Sequence, residues 1–133
     1  MRELFRRLVF NILIDNTDDH EKNHALLMND RGEYELAPAF DVLPTGQALG
    51  YQQMRVGQQG TESTLHNALS EASQFGLSQQ EARFEAGQIA RAIHCWQQHF
   101  HETGVTQADI NTLAETIDRP FLLEQRQAII SST

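Results

Sequence analysis

One lysine, one cysteine and three prolines are all that 133 residues carry of these types, and each scarcity excludes a class of protein. A lone cysteine, Cys95, cannot close an internal disulfide, so a disulfide-stapled scaffold is excluded and a reducing cytoplasm is the expected compartment. Three prolines and eight glycines without a repeated tract exclude collagen-like or linker-like material. The longest apolar run, residues 8–14, is interrupted by Asn11 and is far shorter than the roughly 20 residues a membrane helix needs. No basic stretch leads into an apolar segment with a small-residue cleavage site, so neither a signal peptide nor a membrane is expected. Basic charge is also short. Ten bases against eighteen acids give a formal net charge of −8, which leaves no general attraction for DNA, RNA or anionic lipid. Because nine of the ten bases are arginines, any chemistry that needs an amine must use Lys22.

What remains is ordinary globular material, 40% hydrophobic and 21% charged, at a length that suits one domain over residues 1–133. The pattern predicts a helix over residues 3–14, with Leu4, Phe5, Leu8, Val9 and Ile12 on one face and Arg2, Glu3, Arg6 and Arg7 turned away. The three arginines form a basic patch expected to balance acidic neighbours in a longer parent protein, since the helix starts at Met1 without a cap. Asp15-Asn16-Thr17-Asp18-Asp19 ends the pattern, because short polar side chains compete for backbone hydrogen bonds. Two strand-like runs, Ala25-Leu26-Leu27-Met28 and Tyr34-Glu35-Leu36, flank a turn in which Gly32 can take a positive φ, which predicts a small hairpin. Residues 37–44 form an apolar loop pinned by Pro38 and Pro44 around one carboxylate, Asp41. Residues 47–60 read as an exposed loop or weak hairpin.

The rest is helical in pattern. A short helix is expected over residues 64–74, stopped by Gly76. Ser78 and Glu81 fit a capping box that opens the longest helix. Its buried stripe is Ala82, Ala86, Ile89, Ile93, Trp96 and Phe100, ending at Gly104. Thr106 opens another helix, carried by Ile110, Leu113, Ala114 and Ile117, and a last one beyond Pro120 holds Phe121, Leu122 and Ile129. Near the end of the long helix, His94, His99 and His101 are expected at the surface, and Cys95 as a small apolar filler.

The polar segment 16–24 carries the chemistry. Phosphoryl transfer needs a carboxylate to orient and deprotonate the attacking hydroxyl, and oxygen ligands to hold Mg²⁺ on the phosphates. Protein kinases supply both from one loop, a catalytic Asp and, five residues on, a metal-binding Asn, with a second Asp downstream. Asp18 and Asn23 have that spacing, Lys22 lies between them, and Asp41 follows the hairpin. A second pattern overlaps: His20-Glu21-Lys22-Asn23-His24 satisfies H-E-x-x-H, the zinc-hydrolase arrangement. Its setting is wrong, because that motif belongs inside a helix with an apolar face. A third possibility is a solvated turn with a helix cap, Asp41 bonding only within its own loop.

The segments Asn16-Thr17-Asp18-Asp19-His20-Glu21-Lys22-Asn23 and Leu36-Ala37-Pro38-Ala39-Phe40-Asp41-Val42-Leu43-Pro44 together resemble the C-terminal domain of the HipA family. These are serine/threonine kinase toxins of bacterial toxin–antitoxin pairs. The resemblance implies a mostly helical α+β fold like the C-terminal lobe of a protein kinase. It implies Asp18 as catalytic aspartate, His20 and Lys22 in support, and Asn23 and Asp41 as Mg²⁺ ligands. It further implies ATP as cosubstrate, protein serine as acceptor, and a DNA-binding antitoxin as partner. The chain has no G-x-G-x-x-G or G-x-x-x-x-G-K segment to cradle nucleotide phosphates, so the lobe alone is expected to be inert. The competing expectation is a non-catalytic module that only binds an antitoxin-like protein.

Overall fold

The computed structural model describes residues 1–17, 26–28, 31, 34–36, 44, 45, 48 and 50–132. They are mostly helical. Helix α1 spans Arg2–Leu13 and is followed by an antiparallel pair of three-residue strands, β1 Leu26–Met28 and β2 Tyr34–Leu36. Five helices complete the order: α2 Leu65–Ser70, α3 Gln79–His94, α4 Trp96–Glu102, α5 Gln107–Ile117 and α6 Pro120–Ser132. A 3₁₀ turn, Ala72–Phe75, joins α2 to α3. The expected hairpin is present, with Leu26 opposite Leu36 and Met28 opposite Tyr34. No larger sheet occurs among the described residues.

Helix α1 is the hub. Phe5, Val9, Ile12 and Leu13 are fully buried, and the helix packs on α2, α3, α6 and the 3₁₀ turn. Close approach to α3 is possible because α3 offers small buried residues, Ala82, Ala86, Gly87 and Ala90, over two and a half turns. Charge reinforces the same interface. Glu85, only 7% exposed at its side chain, accepts hydrogen bonds from Arg2 and Arg6, both at 2.5 Å, and Arg2 also bridges to Glu81 at 2.9 Å. The acids that balance the basic patch of α1 therefore belong to this chain, Glu81 and Glu85 on α3 for Arg2 and Arg6, and Glu3 of α1 itself for Arg7. Burial alone would raise the Glu85 pKa, but the hydrogen bonds from Arg6 and Arg2 outweigh it and hold the carboxyl below its ordinary value.

Helix ends follow their sequence signals closely. Ser78 and Glu81 form the reciprocal capping box, and Thr64 and Thr106 cap α2 and α5 through their hydroxyls. Gly76 at φ 71 and Gly104 at φ 95 end the 3₁₀ turn and α4 in left-handed backbone. In both, the next amide reaches back five residues, Leu77 to Ala72 and Val105 to Phe100, as a Schellman ending requires. Pro120 takes the first position of α6, where a missing N–H costs nothing.

Several expectations are corrected. The long helix is two helices, broken at Cys95 (φ −96, ψ 16). The break accompanies a tertiary contact, since Trp96 is buried and its indole N–H donates to Asp118 at 3.1 Å. Cys95 is exposed at this break rather than filling the core. Phe121 is 44% exposed, with Arg119 over its ring, while Leu122 and Ile129 are buried as expected and Arg126 is buried with them. The expected helix over 64–74 divides at Glu71 into α2 and the 3₁₀ turn. The segment expected to be exposed over 47–60 is partly interior: Gln52, Val56 and Gly57 are buried. Asn67 of α2, fully buried, holds that segment by accepting from the Gln59 N–H and donating to the carbonyls of Gly60 and Glu62.

Arg126, 2% exposed, is the buried cation of the C-terminal half. It donates to the Ile117 carbonyl at 3.0 Å, to Asp118 at 2.6 Å and to Nδ1 of His94 at 3.3 Å, tying α3, α5 and α6 at one point. Burial pushes the Asp118 carboxyl up, and hydrogen bonds from Arg126, Trp96 and Gln97 more than reverse that, leaving it below the ordinary aspartate value.

Candidate functional site

The candidate site starts where α1 stops. After Leu13, Asp15 takes a left-handed conformation at φ 62, its amide reaches back to the Ile12 carbonyl, and the Asn16 amide reaches the Asn11 carbonyl at 2.9 Å. This is again a Schellman ending, but with aspartate where glycine is usual. Left-handed backbone costs a non-glycine residue roughly 1 kcal/mol. The Asp15 side chain makes contacts that glycine could not. Its Oδ1 meets Arg119 Nη2 at 3.1 Å, its Oδ2 accepts from the Ala48 N–H at 3.1 Å, and it is 3% exposed.

Both ends of the motif region converge on this residue. The Asp15 carbonyl accepts from the Thr45 N–H at 3.1 Å and from the Thr45 hydroxyl at 2.8 Å. The Thr45 hydroxyl proton is thereby used, so the Thr17 hydroxyl, 2.8 Å away, is the donor of the Thr17–Thr45 pair. The side-chain amide of Asn16 donates to Asn11 Oδ1 at 3.1 Å. Asn16 and Thr17 are each 1% exposed, so these two residues are an interior polar junction, and the rest of the possible solvated turn, residues 18–23, lies outside the described residues. Asp18 follows Thr17 directly, and Asp41 precedes Thr45 by four residues.

The proposed catalytic residues Asp18, His20 and Lys22, the proposed metal ligands Asn23 and Asp41, and the zinc-pattern residues His20, Glu21 and His24 lie outside the described residues. So do Gly32 and Pro38. Among the described residues, no three His, Cys, Asp or Glu side chains come together as a metal site, which includes the histidines around Cys95. No described helix is long and apolar enough to cross a membrane.

The family model of the HipA-like C-terminal domain matches residues 1–96, a stretch that contains α1, the buried junction and both motif segments. The chain belongs to the HipA-like C-terminal domain family. One curated relative of this HipA-like chain, "Putative kinase Y4dM" of Sinorhizobium fredii, is 51% identical over 43 residues. That alignment covers 32% of the chain and 10% of the relative, so the chain spans far less than the length of the protein it matches. No solved structure matches. The helices beyond residue 96, including α5 and Arg119, fall outside the family match.

Sequence reasoning passed over Asp15, Thr45, Ala48 and Arg119. Asp15 and Thr17 carried a visible signal, two polar residues at the end of an apolar helix with no glycine to terminate it. Thr45 and Arg119 carried none, because the bond from Arg119 to Asp15 crosses 104 residues of sequence.

Proposed function

We propose that this HipA-like domain is the catalytic C-terminal lobe of a serine/threonine protein kinase. Two observations support the reading: the family match over residues 1–96, and the hydrogen bond that joins Thr17 to Thr45. The second carries it, because it brings the residue before Asp18 to the segment that follows Asp41.

In this reading the Asp18 carboxylate accepts the proton of the attacking serine hydroxyl and orients its oxygen. The amide oxygen of Asn23 and the carboxylate of Asp41 are hard oxygen donors, a set that suits Mg²⁺ and suits zinc poorly. Bound Mg²⁺ with ATP supplies the transferable phosphoryl group and neutralises charge on it. His20 supports the loop, and the Lys22 ammonium balances phosphate charge. The partners that follow are a protein phosphorylated on serine and an antitoxin-like DNA-binding protein. With no glycine-rich phosphate cradle and no second lysine in these 133 residues, the lobe alone has only half of what positions the nucleotide.

Phosphate release from ATP by the complete gene product tests the reading. Asp18→Asn should lower it by about 10³-fold or more, as expected on losing a positioned base and its charge. The 133-residue chain alone should read background. Unchanged turnover in the variant, or robust turnover by the lobe alone, overturns the proposal.

A further inference from the structure

The buried junction between α1 and Thr45 is more elaborate than a helix ending needs. Both oxygens of the Asp15 carboxylate are engaged, by Arg119 and by the Ala48 amide, and its carbonyl takes two donors from Thr45. A glycine at position 15 would satisfy the same left-handed turn without strain, as Gly76 and Gly104 do elsewhere in the chain. What the aspartate adds is a charged link from the end of α1 to the α5–α6 corner at Arg119 and to the 44–48 segment. Arg119 is itself held, stacked 5.5 Å from the Phe121 ring centroid.

We infer that Asp15, Arg119, Thr17 and Thr45 form a positioning brace that fixes the stem entering Asp18 against the stem leaving Asp41. The inference rests on the kinase reading above and adds residues to it that touch neither substrate nor metal. Phosphoryl transfer depends almost wholly on placement, and a displacement of about 1 Å in a reacting group can lower a rate by about 10²-fold. Two stems joined by one half-buried hydroxyl pair share a common reference point. That point is fixed to the helical base by Asp15 and Arg119, with 3% and 23% of their side chains exposed.

Three variants of the complete gene product separate this role from simple stability. Asp15→Gly keeps the left-handed turn and removes the carboxylate. Thr17→Val keeps the shape and removes the hydroxyl donor. Arg119→Lys keeps the charge and loses the planar fork. Each is assayed for phosphate release from ATP at a temperature well below its own unfolding midpoint. Asp15→Gly and Thr17→Val should lower kcat by about 10- to 100-fold with KM for ATP changed less than about threefold, and Arg119→Lys should retain part of the loss-free rate. Arg55→Gln, which breaks an exposed pair with Glu71, should leave kcat unchanged. If Asp18→Asn is inactive while Asp15→Gly and Thr17→Val turn over normally, the brace is overturned and the kinase reading stands. If Asp18→Asn also turns over normally, the kinase reading itself falls.

Discussion

At the scale of single residues, Gly57 shows how a chemically silent position can be fixed by its neighbours. A β-carbon there would intrude on the carbonyl oxygen of Asn67 and the Ser70 hydroxyl, inside any normal contact distance. The approach is close because Asn67 closes the 57–62 turn against α2 with three hydrogen bonds. Gly57→Ala should therefore cost about 2 kcal/mol through displaced backbone, within the range for overpacked interiors. Urea denaturation followed by circular dichroism measures it, and a midpoint equal to that of the parent chain would show that the turn yields freely. Nothing in the run of glutamines and glycines over residues 47–60 announced this packing. Flexible, polar composition is the usual mark of a surface loop, and the burial comes from one asparagine on another element.

Among the elements, the helix starts and stops were the most legible part of the sequence. Ser78, Thr64 and Thr106 act as the caps their chemistry predicts, and Gly76 and Gly104 end their segments in left-handed backbone. Removing the hydroxyl of the capping box in Ser78→Ala should cost about 1 kcal/mol, read as a fall in thermal midpoint with the helical signal of the native state intact. A loss near zero would mean that the packing of Ala82 and Ala86 holds the first turn without its cap. The endings that were not legible lack a local cause. Cys95 has neither glycine nor proline beside it, and α3 breaks there as Trp96 turns to reach Asp118 across a gap of 22 residues. Asp15 ends α1 without a glycine, because its penalty is offset by bonds to Arg119 and Ala48 that no local pattern encodes. The family could be read from the motif segments by resemblance. The junction of Asp15, Thr17, Thr45 and Arg119 could not be read from any spacing.

For the molecule as a whole, one buried and one half-buried carboxylate shape the response to acid. Glu85 joins α3 to α1, and Asp118 joins the end of α5 to α6 and α4, each held in its charged form below the usual carboxylate pKa. A carboxyl with a depressed folded-state pKa contributes stability that is complete above its unfolded value and is lost as pH falls through the folded one. With unfolded values near 4, thermal stability should be level from about pH 7 to pH 5 and should decline below about pH 4. Glu85→Gln should flatten part of that decline, since the glutamine cannot titrate. A melting temperature that holds or rises on acidification to pH 3 would contradict the assignment of these pairs as net stabilising.

The central place of α1 has a consequence for how the chain comes into being. Its apolar face is covered by α3 and α6, and its last turn is fastened by Arg119, so α1 is completed by residues synthesised well after it, Arg119 lying 104 positions beyond Asp15. A ribosome adding about 5–20 residues each second would hold Phe5, Val9 and Leu13 uncovered for several seconds before their partners emerge. Nascent chains of this domain should therefore be good clients for a holding chaperone, and the junction beside Asp18 can close only after translation has passed Arg119.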